Sequence, residues 1–170
     1  MMRLLLLSLL FLLLTSLELG FVFALPFPID RTPLVLAISV FVFQALDVRL
    51  SAWWVVFHGM MLDILRISFV PFEVVSYALA ALVLVLVSQH LFSNRSFWGI
   101  LGTLTLSLIA LTCAQIFFAV VESLFGAWAP SLQDLLSLRA WGWGLSTVLL
   151  LFLFPLSQVL NRLRARSLSF

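Results

Sequence analysis

The sequence predicts an all-α, polytopic membrane protein whose residues 1–170 form a single domain of six transmembrane helices. Three observations carry that expectation. The chain is 64% hydrophobic and only 9% charged, with mean hydropathy +1.25 over 170 residues, more apolar surface than a soluble core of that size can bury. Apolar runs close to or above the ~18 residues needed to span a bilayer recur along the whole length. Finally, the strand-like alternation of a barrel is missing, no polar stretch is long enough for a separate soluble domain, and LLLLSLLFLLL suits a lipid-facing helix.

The apolar windows are 4–25, 33–46, 52–69, 71–92, 97–121 and 141–160. The first resembles a signal peptide, with Arg3, an apolar stretch 4–14 and Val22-Phe23-Ala24 as a cleavage-like site. Its apolar character resumes past Glu18 and runs to Leu25, so it is expected to stay as a span. Pro26, Pro28 and Pro33 bracket the first connection. The second window would cover only about 21 Å at ~1.5 Å per residue, short of a ~30 Å hydrocarbon core, which places it against protein or thinned bilayer. Pro71 opens the fourth span at a tolerated first-turn position. The fifth contains Cys113, read as a small packing residue. After Pro130, SLQDLLSLRAW pairs Ser131 with Asp134 in a capping pattern. Leu132, Leu135, Leu136 and Leu138 add an apolar face, so a short interfacial helix is expected there. Pro155 should kink the sixth span near its inner end.

Orientation follows from arginine, since the nine basic residues are all Arg. With the N-terminus inside, Arg3, Arg49, Arg95, Arg162, Arg164 and Arg166 face the cytoplasm, whereas Arg31, Arg66 and Arg139 lie outward beside Asp30, Asp63 and Asp134. Both termini are then cytoplasmic. Trp53, Trp54 and Trp98 mark one interface and Trp128, Trp141 and Trp143 the other. The pI near 9.5 reflects few acids and a basic tail, and is no argument for nucleic acid.

On this topology Glu18, Asp63, Glu73 and Glu122 all fall in the outward half of the bilayer. An ion deep in hydrocarbon costs ~2.5–3.5 kcal/mol on insertion scales, so Glu18 and Asp63 should meet protein, water or a counter-charge. Gly59, Asp63 and Arg66 share one helical face, and Asp63 can pair with Arg66. Gly102, Thr105, Thr112, Gln115, Ala119 and Glu122 form a small and polar stripe of the kind found at helix seams. Ser8, Thr15 and Glu18 trace a weaker one, and Glu73 lies one turn from Tyr77. Two readings fit. Either Asp63–Arg66 is an ion pair and the other acids border the headgroups, or Gly59, Asp63, Arg66, Glu73, Glu18, Glu122 and His58 frame an outward recess for a ligand or partner segment. His58 fits a packed, hydrogen-bonded histidine or a relay group. No HExxH, GxSxG, paired-acid metal motif or glycine-rich phosphate loop occurs, so no catalytic, metal or cofactor site is expected and the chain reads as a non-enzyme.

Residues 33–98 carry an ordered set of features: PLVLAISVFVF, the turn ALDVR, HGMMLDILRISFVPFE, and a helix closed by LFSNRSFWG. With Pro33, Gly59-x-x-x-Asp63, Pro71-Phe72 and the basic turn at Asn94-Arg95-Ser96, this resembles the MreD family of bacterial rod shape-determining membrane proteins. Members often carry glycine where Glu73 stands here. The resemblance implies a non-enzymatic scaffold subunit of the cell-elongation, peptidoglycan-synthesising machinery in the bacterial cytoplasmic (inner) membrane. Its partners would be the membrane-anchored MreC, the actin-like MreB, and RodA with its penicillin-binding partner. It also implies a fold similar to the substrate-binding subunits of energy-coupling-factor transporters. The alternative is therefore a membrane subunit that binds a small vitamin-like solute.

Overall fold

The computed structural model describes residues 2–27, 29, 32–66, 71–91, 96–124 and 132–167. Among them are six α-helices and no strand: α1 Met2–Gly20, α2 Leu34–Leu46, α3 Ser51–Arg66, α4 Phe72–His90, α5 Phe97–Leu124 and α6 Leu132–Ser167. A 3-10 turn, Val22–Ala24, follows α1. Three stretches, Leu5–Ala24, Phe72–His90 and Phe97–Ser123, are long and apolar enough to cross a membrane. Leu34–Leu46, Ser51–Leu65 and Arg139–Pro155 are shorter apolar helices. Leu5, Leu9, Leu13 and Leu17 on α1 and Ile64 and Leu65 on α3 are exposed, the outward-apolar pattern of a membrane protein.

The short second helix is the hub. Of its thirteen residues, ten are buried, and α1, α3, α5 and α6 all pack on it. Protein surrounds α2, so its ~20 Å length need not match the bilayer. It ends at Asp47 in the left-handed conformation, φ 56°, which Asp tolerates better than most residues. The N–H groups of Asp47 and Val48 both return to the Val42 carbonyl. The buried Ser51 hydroxyl then lies 2.8 Å from the Val48 carbonyl and 3.0 Å from the Ser39 carbonyl, fixing α3 antiparallel to α2.

Other contacts set the remaining directions. Phe11 stacks on Trp54 and, further along both helices, Glu18 meets His58, so α1 runs in step with α3. Phe72 stacks on Phe118, placing the start of α4 beside the late part of α5. Phe97 meets Phe154 edge-on, placing the start of α5 beside the late part of α6. Leu36, Leu84, Leu104, Leu111 and Leu150 fill the space between.

Three expectations change. The interfacial helix and sixth span are one helix of 36 residues, because no breaker separates Leu138 from Trp141 once the helix has started. Pro155 lies inside it, and its missing N–H leaves the Leu151 carbonyl without its usual donor. Trp54 is a core residue against Phe11, while Trp53 and Trp98 stay exposed. Cys113 faces outward from α5 and packs no core. Ser131 and Trp128 lie outside the described residues.

Gly59 is where α3 and α4 touch. A Cβ there would stand 2.8 Å from Tyr77 Cβ and 2.9 Å from the Glu73 carbonyl oxygen, and backbone cannot yield cheaply. Gly59→Ala should therefore cost about 1–3 kcal/mol. Gly144→Ala, with nothing within 4 Å of the added carbon, should be neutral or slightly stabilising. Thermal unfolding of both variants in one detergent decides this; equal melting temperatures would contradict the close approach.

Candidate functional site

α2 and α4 both begin behind a proline. Pro33 and Pro71 occupy the N-cap positions, and neither can supply the side-chain acceptor that Ser, Thr, Asp or Asn would give there. The first backbone N–H groups of each helix still need acceptors, the more so away from water. Each set is met from the preceding helix.

Glu18, near the end of α1, is 2% exposed, and its Oε2 accepts the Val35 N–H of α2 at 2.6 Å. Asp63, near the end of α3, uses both oxygens. Oδ1 accepts the Glu73 N–H at 3.1 Å and Oδ2 the Val74 N–H at 2.8 Å, both in the first turn of α4. A carboxylate at a helix N-terminus also meets the positive end of the macrodipole. The burial of both acids is thus explained by backbone donors. The expected Asp63–Arg66 pair depends on a side chain outside the described ones.

The bundle is tied together again between α4, α5 and α6. Glu73, buried one turn before Tyr77, accepts from Gln115 Nε2 at 2.9 Å, and Arg139 donates to the Gln115 Oε1. Trp143 Nε1 donates to Thr105 Oγ1 at 2.9 Å on the same seam. The stripe containing Thr105 and Gln115 therefore faces α6, at half-burial. The fully buried face of α5 is a different one, with Ile100, Thr103, Leu104, Ser107 and Leu111. On it Thr103 accepts from Gln44 Nε2 at 2.7 Å.

His58 is completely buried and rests edge-on against Tyr77, ring centres 5.4 Å apart. Its Nε2 lies 3.3 Å from Glu18 Oε1, within ion-pair distance. The geometry is not that of a hydrogen bond, and neither ring nitrogen has such a partner among the described residues. Of the seven residues expected to frame a recess, Glu18 and His58 meet, and Gly59, Asp63 and Glu73 meet one helix over. Glu122 is half-buried two turns beyond Gln115, with no hydrogen bond or ion pair to the others among the described residues. On Thr15, another member of the α1 stripe, the buried hydroxyl has no hydrogen-bond partner among the described residues; Ser8 is exposed and donates to the Leu5 carbonyl at 3.1 Å. No group of His, Cys, Asp and Glu suited to a metal ion occurs among the described residues.

Sequence reasoning missed Arg139 and Gln115 as a linked pair, and it missed the capping role of both acids. The available signal was an acid near the end of one helix followed by a proline opening the next. Chemically these carboxylates are committed to helix ends, so the site is a pair of clamps in an all-helical chain with membrane-spanning helices. Comparison with protein-family models, with curated proteins and with solved structures finds no match.

Removing a clamp should cost more than removing a bystander. Asp63→Ala and Glu18→Ala are each expected to lose about 1–2 kcal/mol, as for other capping residues. Asp63→Asn should lose less, because the amide keeps one acceptor, while Glu122→Gln stays within about 0.5 kcal/mol. Unfolding in detergent reads the order directly; a loss at Glu122 matching that at Asp63 would contradict the clamp.

Proposed function

We propose that this chain is a non-enzymatic scaffold subunit of the bacterial cell-elongation machinery. In this reading all six helices cross the cytoplasmic membrane, both termini lie in the cytoplasm, and the bundle shares the general fold of energy-coupling-factor substrate-binding subunits. Its partners are an MreC-like anchored protein, an MreB-like filament, and RodA with its penicillin-binding partner.

One observation carries the reading. The residues that mark the resemblance to the MreD family are those at which neighbouring helices are joined. Pro33 and Pro71 start α2 and α4, Asp63 clamps α4, and Gly59 admits the Glu73 backbone. Polar groups used in this way favour a fixed shape presented to partners over turnover of a substrate. Glu73, where relatives of this kind often have glycine, keeps the joint and adds a tie to Gln115.

A solute-binding role is favoured by one feature, the fully buried His58 whose ring nitrogens lack hydrogen-bond partners among the described residues. Co-purification from native membrane in mild detergent, with mass spectrometry of both proteins and small molecules, separates the two. The scaffold reading expects elongation proteins in the eluate and loss of rod shape on depletion. A stoichiometric small molecule with no such partner, together with normal cell shape, would overturn it.

A further inference from the structure

Phe11 stacks on Trp54, and one helical turn further along α1 and α3 stand Thr15 and His58. The two helices run in step, so Thr15 and His58 occupy one level of the bundle. Glu18, a turn beyond Thr15 on the same face of α1, brings its Oε1 to 3.3 Å from His58 Nε2. Tyr77 of α4 adds a further wall, its ring edge-on to the imidazole with centres 5.4 Å apart.

Three polar atoms at this level, Thr15 Oγ1 and both ring nitrogens of His58, are buried without a hydrogen-bond partner among the described residues. The Thr15 hydroxyl is the more telling of them. A threonine inside a helix can return its hydroxyl to the carbonyl four residues back, and Thr103, Thr105, Thr112 and Thr147 all do so in this chain. Thr15 does not. Its oxygen is left for something other than its own helix. The groups that meet here are of mixed character. An imidazole carries at least one N–H donor, a hydroxyl both donates and accepts, and Glu18 Oε1 only accepts. A molecule that donates and accepts at once completes such a set, and water is the smallest that does. A hard cation would call for more oxygen ligands than one hydroxyl and one carboxylate oxygen. Exposures of 0% for His58, 2% for Glu18 and 6% for Thr15 favour a small enclosed ligand over a solute entering from outside.

We propose that Thr15, Glu18 and His58 form a binding site for an internal water molecule between α1 and α3. The water joins these helices by hydrogen bonds one turn beyond the point where Phe11 and Trp54 join them by packing. It also holds the imidazole beside Glu18, whose other oxygen caps the start of α2. The site needs only the folded bundle, so it stands or falls independently of which complex the chain joins. It gives the ring nitrogens of His58 a partner without a transported solute.

The test exposes the full chain, in detergent and deoxygenated buffer, to a brief X-ray pulse that makes hydroxyl radicals from water adjoining a side chain. Mass spectrometry then reads oxidation residue by residue, each rate taken relative to the denatured chain. His58 should be oxidised several times faster than Phe41, which is buried in the apolar cluster. Thr15→Val should bring the His58 rate down towards that of Phe41, and Thr15→Ser should restore it. Mixing into water carrying heavy oxygen just before the pulse separates held water from passing solvent. The heavy isotope should appear at His58 later than at the exposed Trp98. Should Thr15→Val fail to fold, the wild-type rate and isotope lag decide by themselves. A His58 rate equal to that of Phe41, a rate unmoved by Thr15→Val, or isotope uptake as prompt as at Trp98 would overturn the proposal. A small organic molecule retained by the folded chain and shielding His58 from oxidation would assign the site to a solute and overturn it equally.

Discussion

A helix in hydrocarbon cannot leave its first backbone N–H groups bare, because no water is there to take them. This chain makes the problem acute by opening α2 and α4 with proline, which fixes the turn but offers no capping oxygen. The acceptors therefore come from Glu18 and Asp63, one helix back. Much else depends on that arrangement. It sets where α1 ends relative to α2, and where α3 ends relative to α4. It also disposes of two carboxylates that would otherwise be costly within the bilayer.

The same solution serves two successive helix pairs, and the third pair shows when it is not needed. α6 starts at Leu132, before the apolar helix Arg139–Pro155, so its first N–H groups need no acid from α5. There the tie is made by side chains, Arg139 and Trp143 of α6 to Gln115 and Thr105 of α5. The α3–α4 pair adds a steric condition. Gly59 lets the Glu73 backbone come close enough for Asp63 to reach the first turn of α4. Gly59 and Asp63, one turn apart on α3, thus act as one joint, the first by withholding a side chain and the second by extending one.

The class of fold was legible because it depends on composition and on apolar run length, and both are properties of sequence alone. The short second helix and the opening of α4 at Pro71 were legible from run length and proline position, and the shared face of Gly59 and Asp63 from helical spacing. The backbone partners of Asp63 were not. Helical spacing compares side chains, and it pointed to Arg66 three residues on. The groups that Asp63 meets are backbone N–H groups of Glu73 and Val74, which no side-chain pattern records. The α5 stripe does lie at a helix seam, the one with α6, but which face of α5 is buried deepest was not legible. Thr103 and Ser107 are as polar as Thr105 and Thr112, so polarity could not tell the fully buried face from the half-buried one. Trp54 was misplaced because adjacent tryptophans point to different sides of a helix, so Trp53 faces out while Trp54 packs on Phe11.

The division of charge connects these local facts to what the molecule can do. At one end, Glu18, Asp63 and Glu73 are buried and hydrogen-bonded within the protein, so little of their charge is offered to an outside partner. In the α2–α3 turn, by contrast, Arg49 is exposed. The three buried carboxylates serve internal geometry, holding helix starts and the Gln115 side chain in place. A bundle built so is held in shape where its helix ends are clamped, because each clamp fixes one helix start against the end of the helix before it.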